Sequence, residues 1–335
     1  MMNVAVVGVG YWGPNLVRNF FNHSAVDKLY CFDVNKDQTK KICERYPGVE
    51  CVDSYNEILR NENISGVVLA TPVATHFPLA RQALEYNKNV FVEKPLTSNT
   101  AEAQMLVELA RKKSLVLMVD HIFVYNGAVR KIKELIDVGE VGEIMYFDAV
   151  RINLGLFQKD VNVLWDLAPH DLSIMDYLLK EKPRAVAAVG QSHYTELEDI
   201  AYLTLFFDNH CIAHIHVSWL APIKVRRVII GGTKKMILLD DGEPVEKIRI
   251  YDKGIETTAK DGASETLIQY RSGGVSSPKY DTTEPLARVV DEFIRAIEKK
   301  ADPLSDGVAG LNIVKILEAA EESIRGKGKL IELRG

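Results

Sequence analysis

The first forty residues constrain this chain most. Val4–Val9 is an almost unbroken apolar run, and it leads straight into Gly8-Val9-Gly10-Tyr11-Trp12-Gly13. An amphipathic stretch through Leu16, Val17 and Phe20 follows, then a second apolar run, Leu29-Tyr30-Cys31-Phe32, ending on Asp33. Strand, Gly-x-Gly-x-x-Gly, helix, strand and acid in that order, with the acid twenty residues past Gly13, is the layout that holds a dinucleotide. Gly8 allows the tight turn, Gly10 lets backbone approach a pyrophosphate, and Gly13 permits close packing of helix on strand. The phosphates then meet free N–H groups at a helix start. The glycines alone would equally suit ordinary turns. The preceding strand and the following acid, within one βαβ unit, decide for the dinucleotide. A carboxylate at Asp33 accepts hydrogen bonds from ribose hydroxyls and repels a 2′-phosphate, and no arginine stands beside it. The cofactor is therefore expected to be NAD rather than NADP, with Asp33 open to a capping or turn role as well. Tyr11 and Trp12 either pack over the cofactor or serve the core.

A chain of 335 residues with 47% hydrophobic content can bury a large core and is long enough for two domains. With a net charge of −5 and no concentrated basic track, nucleic acid is not an expected partner. Cys31, Cys43, Cys51 and Cys211 lack metal-ligand spacing and read as buried thiols or surface singles, which fits a reducing cytoplasm. The N-terminus enters a strand at once, so no signal peptide is expected, and no apolar run is long enough for a spanning helix.

Strand and helix alternate regularly through residue 120. Helices are expected at 35–46, 55–61, 75–87 and 100–112, and strands at 49–52, 64–70, 90–92 and 115–119. Strands apolar on both sides belong in a parallel sheet covered by helices. Beyond a helix at 126–137 the strands lengthen and alternate, at 144–154, 184–194, 199–208, 210–219, 224–231 and 234–239, with two more at 246–251 and 254–259. A helix at 162–179 interrupts them, residues 269–283 read as a Gly-, Ser- and Pro-rich loop, and helices return at 284–300 and 308–325. The expected architecture is an α/β dinucleotide-binding domain, 1–120, and an α+β domain, 121–335, with a large open, mainly antiparallel sheet. Helices 126–137, 284–300 and 308–325 are expected to cover one face. Ile212, Ile215 and Val217 are expected on the other, so the sheet should self-associate as a dimer or tetramer.

Two constellations could do chemistry. Glu93-Lys94-Pro95 closes a parallel strand, at the edge where ligands bind. An ammonium there can hydrogen-bond an alcohol oxygen and oppose charge build-up, or merely pair with Glu93. The second is Asp166-Leu167-Ala168-Pro169-His170-Asp171. On a helix Asp166 and His170 share a face, although Pro169 suggests that the helix begins near it. Histidine suits proton transfer near neutral pH, and a nearby carboxylate can orient it or accept a substrate hydroxyl. A core or capping histidine flanked by capping acids is the alternative. Asp166, His170 and Asp171 resemble metal ligands, but His193, His210, His214 and His216 add no helpful spacing, and no metal is expected. Thr71-Pro72 ends another strand and should border the nucleotide. His76 is either a ligand contact or a structural residue at a helix start.

Gly8–Gly13, Glu93-Lys94-Pro95 and Asp166-x-x-x-His170, in that order and spacing, resemble the Gfo/Idh/MocA oxidoreductase family, as do Ala70-Thr71-Pro72 and the closing helix from Pro285. The resemblance implies an N-terminal Rossmann domain that binds NAD(H) or NADP(H), and a C-terminal domain whose sheet takes a sugar or cyclitol and forms the oligomer interface. It places the family's catalytic lysine at Lys94, its histidine at His170 and the aspartate one turn earlier at Asp166. Gly8, Gly10, Tyr11, Trp12, Gly13, Asp33, Thr71, Pro72, His76, Glu93 and Lys94 fall to the cofactor.

Gly10–Asn15, Asp166–Asp171 and Ser305-Asp306-Gly307 are similar to the nucleotide-sugar branch. Its members oxidise C3 of a UDP-linked N-acetylated glucose or its uronate and feed an aminotransferase in surface-polysaccharide synthesis. The alternatives are a dehydrogenase of a free cyclitol or sugar of inositol or glucose type, a related sugar ketoreductase, and a non-catalytic NAD-binding regulator. Either Lys94 or His170 serves as the final base. Arg151, Lys159 and Arg226 or Arg227 are candidates for a diphosphate.

Overall fold

The computed structural model describes residues 1–259 and 266–333. They form two compact units, Met1–Tyr125 with Thr283–Glu318, and Asn126–Thr282 with the residues from Ala319 on. The chain opens with β1 (Met2–Val7), α1 (Gly13–Phe21), β2 (Val26–Phe32), α2 (Lys36–Arg45), β3 (Val49–Cys51), α3 (Tyr55–Arg60), β4 (Ile64–Leu69), α4 (Val73–Glu85), β5 (Asn89–Val92), α5 (Thr100–Lys113) and β6 (Leu117–Val119). It continues with α6 (Gly127–Asp137), β7 (Ile144–Leu154), α7 (Val163–Leu178), β8 (Ala185–Gln191), β9 (Ile200–Phe206), β10 (Ile212–Ser218), β11 (Leu220–Gly232), β12 (Met236–Asp240), β13 (Ile248–Ala259) and β14 (Thr266–Ser276). α8 (Pro285–Lys299), α9 (Gly307–Arg325) and β15 (Ile331–Glu332) complete it.

In the first unit six parallel strands lie in the order β3-β2-β1-β4-β5-β6. Val4, Val6, Val67, Val68, Val90 and Phe91 are fully buried, as strands covered on both faces must be. Asn35, Ser54 and Asn99 cap the starts of α2, α3 and α5 by accepting main-chain N–H groups. Because all six strands run the same way, Gly8, Asp33, Thr71, Glu93 and Asp120 follow their strands at one edge. The strand order reverses between β1 and β4, which is where such sheets bind ligands.

The helix at 285–299, expected on the open sheet, instead belongs to this unit. Its apolar stripe, Leu286, Val289, Val290, Phe293 and Ile294, is buried. Phe293 meets Phe20 at 6.2 Å and Phe91 at 5.7 Å between ring centroids. Burying a phenylalanine contributes about 1.5–3 kcal/mol. The exposed Arg18–Glu284 pair contributes at most about 1 kcal/mol, so apolar contact holds α8 in place.

The second unit is a nine-stranded sheet in the order β14-β13-β12-β11-β7-β10-β9-β8-β15. Every pairing is antiparallel except that of β7 with β10. α7 lies over β7, β9 and β10, with α6 against it. Alternation divides β10 otherwise than expected. Ala213, Ile215 and Val217 are fully buried, whereas Ile212 shares the opposite face with His214 and His216. Residues an even number apart share a face, so Ile212 could not join Ile215 and Val217. On that opposite face the Tyr202 ring stacks on His216 at 4.4 Å and on His214 at 6.3 Å.

Three further expectations are corrected. Most of the supposed 269–283 loop is strand β14, because β13 pairs with it on both sides of an irregularity at Gly273 and Gly274, and the two short strands at 246–259 are one. α7, Val163–Leu178, fills the helix expected at 162–179, and its start is not set by Pro169. The Asn162 side chain accepts the Trp165 N–H at 3.1 Å and sets the start, leaving Pro169 inside the helix. Cys43 and Cys51 form a disulfide, with Cα atoms 6.5 Å apart, while Cys31 and Cys211 are buried thiols. The argument for a reducing compartment from unpaired cysteines therefore falls.

Candidate active site

On the first unit the glycine loop turns β1 into α1. Gly8 has φ +88°, and a Cβ there would lie 2.5 Å from the Ala70 carbonyl oxygen. A Cβ on Gly13 would lie 2.0 Å from the Gly8 oxygen, so both positions admit only glycine. Over Gly10 a Cβ would meet nothing within 4 Å, which leaves open space for a ligand at the backbone. Asp33 is tied to this loop. Its carboxylate accepts the Val9 N–H and the Asn35 N–H, each at 2.8 Å. Both oxygens retain acceptor capacity for ribose hydroxyls, and the capping of α2 falls to Asn35. Tyr11 is 91% exposed, whereas the Trp12 indole N–H donates to Asp120 Oδ2 at 3.2 Å. Thr71 and Pro72 follow β4. His76, on α4, is buried with its ring nitrogens 2.8 Å from the Thr71 and Pro95 carbonyl oxygens, and it braces the ends of β4 and β5.

Glu93 and Lys94 follow β5, and the Lys94 N–H donates to Glu93 Oε2 at 3.2 Å. Beside them lie two residues that motif reading passed over, Asp120 and His121, both 2% exposed. Glu93 Oε1, Asp120 Oδ1 and both His121 ring nitrogens are buried with no hydrogen-bond partner among the described residues. Burial, and then the Asp120 carboxylate, hold Glu93 well above the usual carboxylate range. Burial also raises Asp120, against the opposing influence of Glu93, the Trp12 N–H and Lys94. The two carboxylates form one buried pair, and burial disfavours the charged form of each. Burial, then the charge on Lys94, pull His121 down to about 4, leaving a neutral ring. The open space over Gly10, the anchored Asp33 and these orphaned polar atoms at the ligand edge fit a dinucleotide.

On the second unit Asp166 occupies the first turn of α7, one turn ahead of His170 and on the same face. The Trp219 indole N–H donates to Asp166 Oδ2 at 3.1 Å. Trp219 is 1% exposed, so the carboxylate is held by a rigid wall. Nothing in the local sequence signals this contact across 53 positions. Asp171 points elsewhere and pairs with Arg151 through two bonds of 2.8 Å, both side chains being about 95% buried or more. Arg151 is therefore not available to a phosphate. Arg227 is engaged by Asp240 and Arg226 by Asp241. Among the described residues no group of three His, Cys, Asp or Glu side chains could hold a metal.

A model of the GFO/IDH/MocA oxidoreductase family, with its NAD-binding Rossmann fold, matches residues 2–121, and the model of that family's C-terminal domain matches residues 129–238. The chain belongs to the GFO/IDH/MocA family. Its first unit is thus an NAD-binding domain, and the protein is an oxidoreductase of the sugar and polyol type.

Among relatives in the family, UDP-N-acetylglucosamine 3-dehydrogenase of Acidithiobacillus ferrooxidans is 26% identical, over 93% of this chain and 94% of its own. Its solved structure superposes with TM-score 0.79, over 97% of this chain and 99% of that one. The NAD-dependent scyllo-inositol 2-dehydrogenase of Bacillus subtilis is 27% identical, over 68% of this chain and 70% of its own. A levoglucosan dehydrogenase, solved with NADH and levoglucosan, shares the fold at TM-score 0.84 and 20% identity, with the whole of both chains covered. Among the described residues, no helix is long and apolar enough to cross a membrane.

Proposed function

We propose that this family member oxidises the C3 hydroxyl of a UDP-linked N-acetylated sugar or its uronate, with Lys94 and His170 handling the hydroxyl proton. The observation that carries the reading is the single face of α7 on which Asp166 and His170 lie, with the Asp166 carboxylate fixed by Trp219. A fixed carboxylate can accept a bond from a sugar hydroxyl while the imidazole one turn on takes a proton near neutral pH. The Lys94 ammonium opposes negative charge as it develops on the alcohol oxygen. When bound, NAD supplies the hydride acceptor. The Acidithiobacillus relative, matched over nearly its whole length, is named for this reaction.

A free cyclitol or sugar is the second reading. It is favoured by the engagement of Arg151, Arg226 and Arg227 with carboxylates, which removes three cations from a diphosphate. NADH absorbance with UDP-N-acetylglucosamine, its uronate, glucose and scyllo-inositol separates the two. The expected result is the highest kcat/KM on a UDP-sugar, and a preference for glucose or inositol would overturn it.

The open sheet is also proposed as the self-association surface. Tyr202, Ile212, His214 and His216 share its outer face, with Tyr202 and Ile212 37% and 43% exposed. A dimer or tetramer is expected in sedimentation at micromolar concentration, and a monomer would refute it.

A further inference from the structure

The wall that holds Asp166 does not end at Trp219. The Phe157 ring lies 5.2 Å from the Trp219 ring, and Tyr194 meets Phe157 edge-on at 6.0 Å. Tyr194 is 75% exposed although it sits against aromatic neighbours. Its frame is built from three parts of the second unit. The Gly155 N–H donates to the Trp219 carbonyl at 3.0 Å, and the Trp219 N–H donates to the Asp199 carbonyl at 2.9 Å. The Asp199 carboxylate, fully buried, accepts the His193 main-chain N–H and meets His193 Nδ1, each at 2.7 Å. A half-exposed imidazole is thereby locked beside the exposed tyrosine.

The same end of the sheet carries Leu154, Leu156 and Ile223, 77%, 74% and 64% exposed. It also carries Lys159 and Lys224, exposed and without an ion pair among the described residues. Aromatic faces, an oriented imidazole and unspent cations are together the chemistry that receives a base and a diphosphate.

Resting on the reading above, we propose that Phe157 and Tyr194 form a stacking subsite for the base of a nucleotide-linked sugar. Lys159 and Lys224 supply charge to its diphosphate, and His193 offers a ring nitrogen to the base edge. In a nucleotide-linked sugar a diphosphate and a ribose separate the base from the sugar ring. The base must then be met by groups removed from Asp166, and Tyr194 is two ring contacts beyond Trp219. The Arg151, Arg226 and Arg227 guanidiniums are engaged by carboxylates, so the lysines take their place. The subsite would make this face the element that selects nucleotide-linked over free sugars.

The test uses the full chain with saturating NAD, UDP-N-acetylglucosamine as substrate, and UDP alone in calorimetry. Tyr194→Ala removes an exposed side chain and leaves the core intact. Base–aromatic stacking of usual strength predicts a KM and a UDP dissociation constant raised roughly 5- to 100-fold, the effect falling on KM rather than kcat. Phe157→Leu should move both constants in the same direction. Lys159→Ala with Lys224→Ala should flatten the salt dependence of UDP binding. If the wild type oxidises the UDP-sugar and Tyr194→Ala and Phe157→Leu bind UDP unchanged, the subsite is refuted while the reaction stands. If the wild type neither binds UDP nor oxidises the UDP-sugar, the reaction and the subsite fall together. If Tyr194→Ala shifts the oligomeric state and leaves KM alone, the patch is a contact between copies and the proposal is overturned.

Discussion

Lys94→Ala and His170→Ala are each expected to lower turnover by roughly 10²–10⁴, the range for removing a positioned acid–base group or an electrostatic stabiliser. NAD affinity should change little, since the dinucleotide is proposed to be held by the glycine loop and Asp33. The melting temperature should also stay close to wild type, because groups poised for substrate contribute little packing. Steady-state kinetics on the substrate found in the panel, NAD titration and a thermal melt read the three quantities. Near-native turnover in both variants would show that the reacting alcohol is handled elsewhere. Unfolding of either would return that residue to a structural role.

Asp171→Ala should behave in the opposite way. Asp171 follows His170 directly, yet it forms the buried pair with Arg151 that ties α7 to β7. Removing one partner strands a buried charge and should cost about 3–5 kcal/mol of stability. Arg151→Met combined with Asp171→Leu removes both charges and should recover most of that loss. Denaturant melts of the two variants decide the matter. A single variant as stable as wild type, or a double variant no better than the single, would show that the pair does not anchor the helix. With both expected results in hand, adjacent positions on one helix separate chemistry from scaffolding, His170 being lost in turnover and Asp171 in stability.

Local signals were readable in the sequence. The glycine loop, Asp33 at the end of β2, and Asp166 and His170 one turn apart all act within one or two elements, where spacing alone fixes which side chains meet. Both sheets follow from the change between apolar runs and alternation. Partners distant in sequence were not readable. Trp12 meets Asp120 across 108 positions, Trp219 meets Asp166 across 53, and Arg151 meets Asp171 across 20. Arg151 looked like a phosphate ligand because a sequence shows charge and hides its partner. Pro169 looked like a helix start because proline favours that position. The Asn162 cap lies seven residues earlier and prevails, since it satisfies a main-chain N–H that proline does not. Gly273 and Gly274 suggested a loop, yet they only interrupt the register of a strand that β13 pairs on either side of them.

The chain leaves the first unit at Tyr125 and returns to it only at Thr283. On the ribosome, at about 5–20 residues per second, roughly 10–30 s pass between synthesis of the nucleotide-binding sheet and arrival of Phe293. Through that interval the rings of Phe20 and Phe91 lack the side chain that later covers them. The amino-terminal segment is therefore a nascent intermediate with a sticky surface, and it completes its own core only after eight of the nine strands of the second sheet have been made.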